Sequence, residues 1–310
     1  MENYIHQWER HFTQHRPFLI SFAFRMTGSL SEAEDIVQDA LLACANVDPS
    51  KIENHKSWLT KVCSNKGLDH LKLAYKNRET YHGTWLPDAI PDSLQVWSSL
   101  ESESPDKNLL LSQSLTTSFL LMIEKLNPEE RVVYLLNEIF EYSFKEIASF
   151  LQKTEDACRK IAERARKAVA SQKAKFNPNH QGAEKLIAQF FDLAKVGNTT
   201  AMMELLADES EFWADGGGKV SAAAGILTDN FKIANFFSKL GTSPVFASIE
   251  FKMEIVPVNH RLGAVISRKL PSGEWVFESV MSFEVQDGKL ARIYAQRNPD
   301  KLKALVSALE

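Results

Sequence analysis

The chain has 310 residues, 44% of them hydrophobic and 25% charged, with a formal net charge of −4. That balance is ordinary for a globular protein, allows two or three domains, and gives no global sign of nucleic-acid binding. No apolar run reaches the length of a membrane span, and the charged, aromatic start "MENYIHQWER" is not expected to act as a signal peptide. Three scattered cysteines, Cys44, Cys63 and Cys158, fit no zinc spacing and suggest a reducing cytoplasm.

Residues 3–27 predict a helix, because Trp8, Phe12, Phe18, Phe22 and Met26 recur near helical spacing and Gly28 ends the run. Ser31 and Glu34 have capping-box spacing and predict a helix through about Ala45. Ala33, Ile36, Val37, Ala40, Leu41 and Cys44 form its apolar stripe, and the acids point elsewhere. Residues 28–50 carry no Lys or Arg, whereas residues 51–78 carry seven. After the polar loop 46–56, "SWLTKVCSNKGLDHLKLAYKN" predicts a long basic helix with Trp58, Val62, Leu68 and Leu71 inward and Gly67 as a local weakness. From about Arg78 to Asp106 the periodicity stops. Pro87, Pro91 and Pro105 among polar residues read as a linker, although Trp85 and Leu86 are apolar enough to dock on a domain.

Asn127-Pro128-Glu129-Glu130 has the composition of a helix start, and Ser143 with Glu146 opens a second, short helix. Thr154 then caps a helix rich in Lys and Arg, with Glu155 and Asp156 at its positive end. Short helix, tight turn and basic helix make a helix-turn-helix pattern, in which the second helix enters the major groove. Arg159 and Lys160 would face base edges, and Arg164, Arg166 and Lys167 would reach phosphates. The other reading is an αα-hairpin with a solvated basic face. Gln152 holds the turn position where glycine is common, so it must tolerate a left-handed backbone.

Beyond "FNPNHQG" the pattern changes. Two helices flank Gly197, "FKIANFFSKL" is a third, and alternating runs from about Phe246 predict an antiparallel meander. Phe251, Met253 and Ile255 fall on one face and Lys252 and Glu254 on the other. Between the second and third of these helices stands "FWADGGGKVSA". It is not a phosphate loop, since Trp213 and Val220 occupy the positions that need Gly and Ser/Thr, and Ser221 replaces the third glycine of a dinucleotide loop.

The blocks "RPFLISFAFRMTGSLSEAEDIVQDALL", "HKSWLTKVCSNKGLDHLK" and "LNPEERVVYLLNEIFEYSFKEIASFLQKTEDACRKIAERAR" resemble an extracytoplasmic-function (ECF) sigma factor of bacterial RNA polymerase. "WLPDAI" (85–90), "DGGGK" (215–219) and "NPDKL" (298–302) are similar to the markers of the subgroup with a SnoaL-like C-terminal extension, the first departing from "WLPEPL" after its proline. The resemblance implies two all-α sigma domains, region 2 (residues 1–80) and region 4 (108–175), joined by a linker (81–107). An α+β SnoaL-like domain (183–310), cone-shaped with a curved antiparallel sheet, follows.

It further implies that Glu34, Asp35, Gln38 and Asp39 bind the clamp helices of the largest polymerase subunit. Asn54, Lys56, Lys61, Lys66, Lys72, Lys76 and Arg78 would bind the minus-ten element of promoter DNA, and Arg159, Lys160, Arg164, Arg166 and Lys167 the minus-thirty-five element. The expected regulatory contact joins Trp85, Leu86 and Pro87 with Asp215, Gly216, Gly217, Gly218 and Lys219 and with Asn298, Pro299 and Asp300. The glycine run is expected to dock on the sigma portion near the linker or region 2. Trp58 is either a core residue or a stacking platform for a base.

The expected protein is a cytoplasmic transcription initiation factor controlled in cis by its extension, with no metal, cofactor or membrane partner. An enzyme or small-molecule sensor fused to a DNA-binding module is the alternative. It would use Asp215 or His260 as a base, or an unidentified ligand in a pocket lined by Trp213, Trp275, Phe277 and Phe283. A repressor using the helix-turn-helix alone would leave the acidic helix unexplained.

Overall fold

The computed structural model describes residues 4–78, 81, 83–90, 92, 105–173 and 182–303, without the side chains of residues 74–78, 105–107, 109 and 171–173. The chain divides into two units, Met1–Thr80 with Leu94–Ala174, and Tyr81–Ser93 with Lys175–Glu310.

In the first unit, α1 (Ile5–Thr27) ends at Gly28, whose φ of 71° is the left-handed cap that glycine adopts most readily. The next helix, α2 (Leu30–Cys44), starts earlier than the Ser31 capping box predicts. Its N-cap is Ser29, placed by the bond from its own amide to Thr27 Oγ1 at 3.2 Å, and Glu34 turns to Arg16 instead. The long helix α3 (His55–Arg78) buries Leu59, Cys63, Leu68 and Leu71, while Trp58 and Val62 are only half-buried at its edge. Gly67 is a close approach rather than a weakness, since a Cβ there would meet Met26 Cε at 2.1 Å.

The chain continues through α4 (Pro105–Gln113), α5 (Thr117–Glu124) and α6 (Pro128–Tyr134), which runs on into a π-helical turn at Leu135–Ile139. Capping boxes at Asn127/Glu130 and Ser143/Glu146 both form. The helix-turn-helix is α7 (Phe144–Leu151) and α8 (Glu155–Lys173), with Gln152 at φ 53° in the turn.

This unit is closed upon itself. Arg25, 1% exposed, donates from Nε to Ser114 Oγ at 2.7 Å and from Nη2 to the Leu111 carbonyl at 2.9 Å. Arg131 donates to the Met26 carbonyl at 2.7 Å. Asn65 on α3 donates to the Phe150 carbonyl on α7 at 3.0 Å, and Thr60 bonds Tyr142 at 3.0 Å. Guanidinium groups suit such seams because one planar group spreads its charge over several donors that reach carbonyls on different elements.

The second unit contains α9 (Ala183–Val196), α10 (Thr199–Leu205), β1 (Leu206–Asp215), β2 (Leu227–Thr228), α11 (Asn230–Gly241), α12 (Pro244–Ala247), β3 (Phe251–Val258), β4 (Arg261–Lys269), β5 (Trp275–Gln286) and β6 (Lys289–Gln296). They make one sheet of order β2-β1-β6-β5-β4-β3. All pairings are antiparallel except β1 with β6, so the sheet is mixed rather than purely antiparallel. Period-two alternation gives the sheet two different faces. One packs Phe212, Ala214, Ala264, Met281 and Ala295 with helical residues Phe190, Ile233 and Phe237. The other packs Val258, Val265, Val280 and Leu302 with Ala89 from the segment 81–93.

Candidate functional site

Residues 81, 83–90 and 92 form a strap across that second face. Leu86 and Ile90, 1% and 0% exposed, are its apolar anchors, and burial of each is worth about 1.5–3 kcal/mol. Each precedes a proline, which biases its backbone toward an extended form.

At one end of the strap, Asp215 is fully buried and accepts four hydrogen bonds. They come from the Leu86 amide at 2.9 Å, the Tyr81 hydroxyl at 2.6 Å, the Gly217 amide at 2.9 Å and Lys301 Nζ at 2.7 Å. Lys301 also stands 4.5 Å from the centre of the Trp85 ring. Gln296 donates to the Pro87 carbonyl at 3.1 Å. Burial, and secondarily the bond to Asp215, pushes the Tyr81 phenol above its usual range, so it remains a donor. At the other end, the β3–β4 hairpin turns through Asn259 and His260 with φ of 50° and 54°. Asn259 exchanges bonds with Ile90 at 2.9 Å each way and donates to the Asp88 carbonyl at 3.0 Å. The His260 amide donates to Asp92 Oδ1 at 2.9 Å, and its Nδ1 stands 3.2 Å from Asp92 Oδ2.

The three sequence markers therefore converge, but not as the glycine run suggests. Gly217 and Gly218 have φ of 60° and 70°, and a Cβ on Gly217 would meet Asn298 Nδ2 at 2.2 Å. The glycines close a tight turn against Asn298 and supply an amide to Asp215, and the carboxylate holds the strap. Lys219 pairs with Asp300, and Pro299 sits between Asn298 and Asp300 at the head of a helical turn. Tyr81, Asn259 and Lys301 were not among the residues expected here. Lys301 belongs to the quoted "NPDKL", whereas nothing local marks Tyr81 or Asn259 beyond the Asn-His turn signal.

In the first unit, Glu34, Asp35, Gln38 and Asp39 are all exposed on one face of α2. Leu42, 55% exposed, continues that stripe one turn on and adds an apolar residue to it. Asn54 caps α3 through the Ser57 amide at 2.9 Å, Lys56 lies over the Phe18 ring and Lys61 over Trp58. Lys66 is half-buried and Lys72 exposed, and the side chains of Lys76 and Arg78 lie outside those described. On α8, Arg159, Lys160, Arg164, Arg166 and Lys167 are exposed opposite the buried Cys158, Ile161, Ala162, Ala165 and Val169. Arg164 and Arg166 bond Glu130 and Glu138 at 3.1 and 2.7 Å, bracing α8 against α6 and the π turn. Arg159 and Lys160 stand nearer the N-terminus of α8, where Arg159 pairs with Glu155 at 3.1 Å.

The opposite face of the sheet encloses a cavity of about 650 Å³ lined by Phe191, Phe212, Phe236, Phe237, Phe246 and Phe251, with Lys195, Glu278 and Arg297 as its charged residues. Trp213, Trp275, Phe277 and Phe283 do not line it. The register between β4 and β5 shifts so that Glu278 is an extra residue, and Phe277 moves to the strap face as a result. Asp215 and His260, the two candidate bases, are also absent from the lining.

Comparison with known proteins agrees with this geometry. Sigma-70 region 2 matches residues 11–76, and Sigma-70, region 4 matches residues 116–169. The ECF RNA polymerase sigma factor SigJ of Mycobacterium tuberculosis is 31% identical over 291 residues, covering 92% of this chain and 90% of its own. The chain belongs to the ECF sigma factors. The crystal structure of SigJ superposes with a TM-score of 0.71 at 28% identity, covering 95% of this chain and 98% of that one. The probable ECF RNA polymerase sigma factor SigI of the same species is 29% identical over 196 residues, 62% of this chain and 64% of its own. This ECF sigma factor therefore joins region 2 and region 4 to a SnoaL-like domain, and the strap is part of the chain between its two sigma regions. Among the described residues no helix is long and apolar enough to cross a membrane, and no cluster could hold a metal ion.

Proposed function

We propose that this sigma factor directs promoter-specific initiation and that its SnoaL-like domain governs it in cis by holding the strap. The single observation that carries the reading is the buried Asp215, four times bonded, with the Leu86 amide among its donors. A surface turn has no need of a buried carboxylate at that position.

The sigma regions meet core polymerase through Glu34, Asp35, Gln38, Asp39 and Leu42, and promoter DNA through the basic side chains of α3 and α8. Elements near minus ten and minus thirty-five are about 80 Å apart along a duplex rising 3.4 Å per base pair. The closed packing of α3 on α7 must open for both to be read. Ordering each residue of a connector costs about 1–2 kcal/mol. Docking the strap meets part of that cost beforehand. The docked strap thus favours the open state. Control of this kind requires only that the two states differ in affinity for the strap.

The test is binding of core polymerase to full-length protein, to a chain ending near residue 180, and to Asp35→Lys with Asp39→Lys. The first two are expected to bind alike and the charge-reversed pair to lose binding. Retained binding by that pair would remove the proposed polymerase face.

A further inference from the structure

The cavity and the strap lie on opposite faces of the same strands. On β1, Ala214 lines the cavity and Asp215 holds the strap. On β6, Ala295 lines the cavity and Gln296 bonds Pro87, and in the stretch that follows, Arg297 lines the cavity while Asn298 supports Gly217 and Tyr81. The loop after the glycines, Ser221 to Ala223, is itself cavity wall.

Apart from the exposed Lys195, the charged residues of this largely apolar lining, Glu278 and Arg297, lie together and are bonded to each other. There the bulge in β5 aims Glu278 inward, where an unbulged strand would present Phe277. Bulges re-aim side chains in this way beside ligand sites. Glu278 receives Arg268 at 2.8 Å on one oxygen and Arg297 on the other. Two guanidinium groups against one carboxylate leave one positive charge in excess. Arg297 divides its donors between Glu278 and the carbonyl of Ser221. A volume near 650 Å³ suits a single small molecule, and apolar walls with a few convergent polar groups are what such sites share.

We propose that the cavity binds an amphiphilic monocarboxylate, its apolar body among Phe212, Phe236, Phe237, Phe251, Met253 and Met281 and its carboxylate on Arg297, and that binding weakens the strap. A carboxylate on Arg297 competes with the Ser221 carbonyl for the same N–H groups. Losing that bond frees the 216–223 loop, and with it the Gly217 amide that steadies Asp215. The ligand and the strap then oppose each other through Asp215 and Arg297, which are joined by the bond from the Arg297 amide to the Asp215 carbonyl at 2.8 Å. By linkage, each lowers the affinity for the other equally. The coupling rests on the reading of the strap given above.

The experiment uses full-length protein with dodecanoate and its neutral analogue dodecanol. Calorimetry reads binding, and hydrogen exchange across residues 83–92 reads the strap. Dodecanoate is expected to bind with a Kd well below about 1 mM and dodecanol at least about tenfold more weakly. Arg297→Gln should abolish that preference. Ala247→Trp, at an exposed position of the cavity wall, should block both and keeps the test sound should Arg297→Gln fail to fold. Saturating dodecanoate should speed exchange of the Leu86 and Ile90 amides about tenfold. Absent binding, equal binding of acid and alcohol, binding indifferent to Ala247→Trp, or unchanged exchange at saturation would each overturn the proposal. None of these readouts uses polymerase, so their failure leaves the strap reading standing. A strap variant silent in transcription would remove that reading alone.

Discussion

The Asp215 carboxylate and the Leu86 amide, 129 residues apart in sequence, are joined by a 2.9 Å hydrogen bond inside a fully buried site. Asp215→Ala removes that acceptor and leaves Lys301, with 12% of its side chain exposed, without its carboxylate. Breaking a buried pair from one side costs about 3–5 kcal/mol. Leu86 and Ile90 are then expected to exchange amide hydrogens as a mobile connector does, while α9 and the sheet keep their protection. Hydrogen exchange resolved by peptide checks this, and uniform loss of protection would mean the whole domain depends on the bond.

Gly217→Ala should separate the turn from the strap. The residue holds φ 60°, and its new Cβ would press on the Asn298 amide. A strained left-handed residue costs about 1–3 kcal/mol. Thermal unfolding of the full chain should show that loss.

Gln152→Gly should act in the opposite direction. Gln152 sits at φ 53° in the helix-turn-helix, a conformation that costs a residue with a side chain about 1–2 kcal/mol. Glycine removes that cost and returns part of it as freedom in the unfolded chain. A gain of about 0.5–1 kcal/mol in denaturant unfolding is expected. No gain would mean the side chain has a packing role that offsets the strain.

The cysteines should be chemically silent in the native state. Burial pushes the Cys63 thiol up to about 12 and the Cys44 thiol up to about 11. Burial also raises Cys158. Folding therefore favours the protonated thiols. The stability this gives is complete below the ordinary thiol pKa of about 8.5 and is lost as pH rises through the folded values. Thiol titration at pH 8 should label all three only after denaturant is added, and rapid labelling of the native protein would contradict the burial.

Much of this was legible in the sequence because local chemistry and tertiary packing agree. Both region 4 capping boxes form, Gln152 is left-handed, and the exposed acidic stripe of α2 is where the periodicity puts it. The misreadings arose where a distant partner intervenes. Thr27 and Gly28 set the start of α2 ahead of Ser31, Met26 explains Gly67, and a bulge at Glu278 reverses the face of Phe277. Trp85 and Leu86 are apolar for a linker, but the strap's partners Asn259 and Lys301 are remote in sequence. Only the fold brings them together.

The most direct measurement is promoter-specific transcription by reconstituted core polymerase, on a promoter selected with wild-type protein, comparing wild type with Asp215→Ala and Asp215→Asn. Strap release is expected to lower the transcript yield of Asp215→Ala by about 5–150-fold, with Asp215→Asn between it and wild type and core binding unchanged in all three. Equal yields, with hydrogen exchange showing the strap released in Asp215→Ala, would contradict the account.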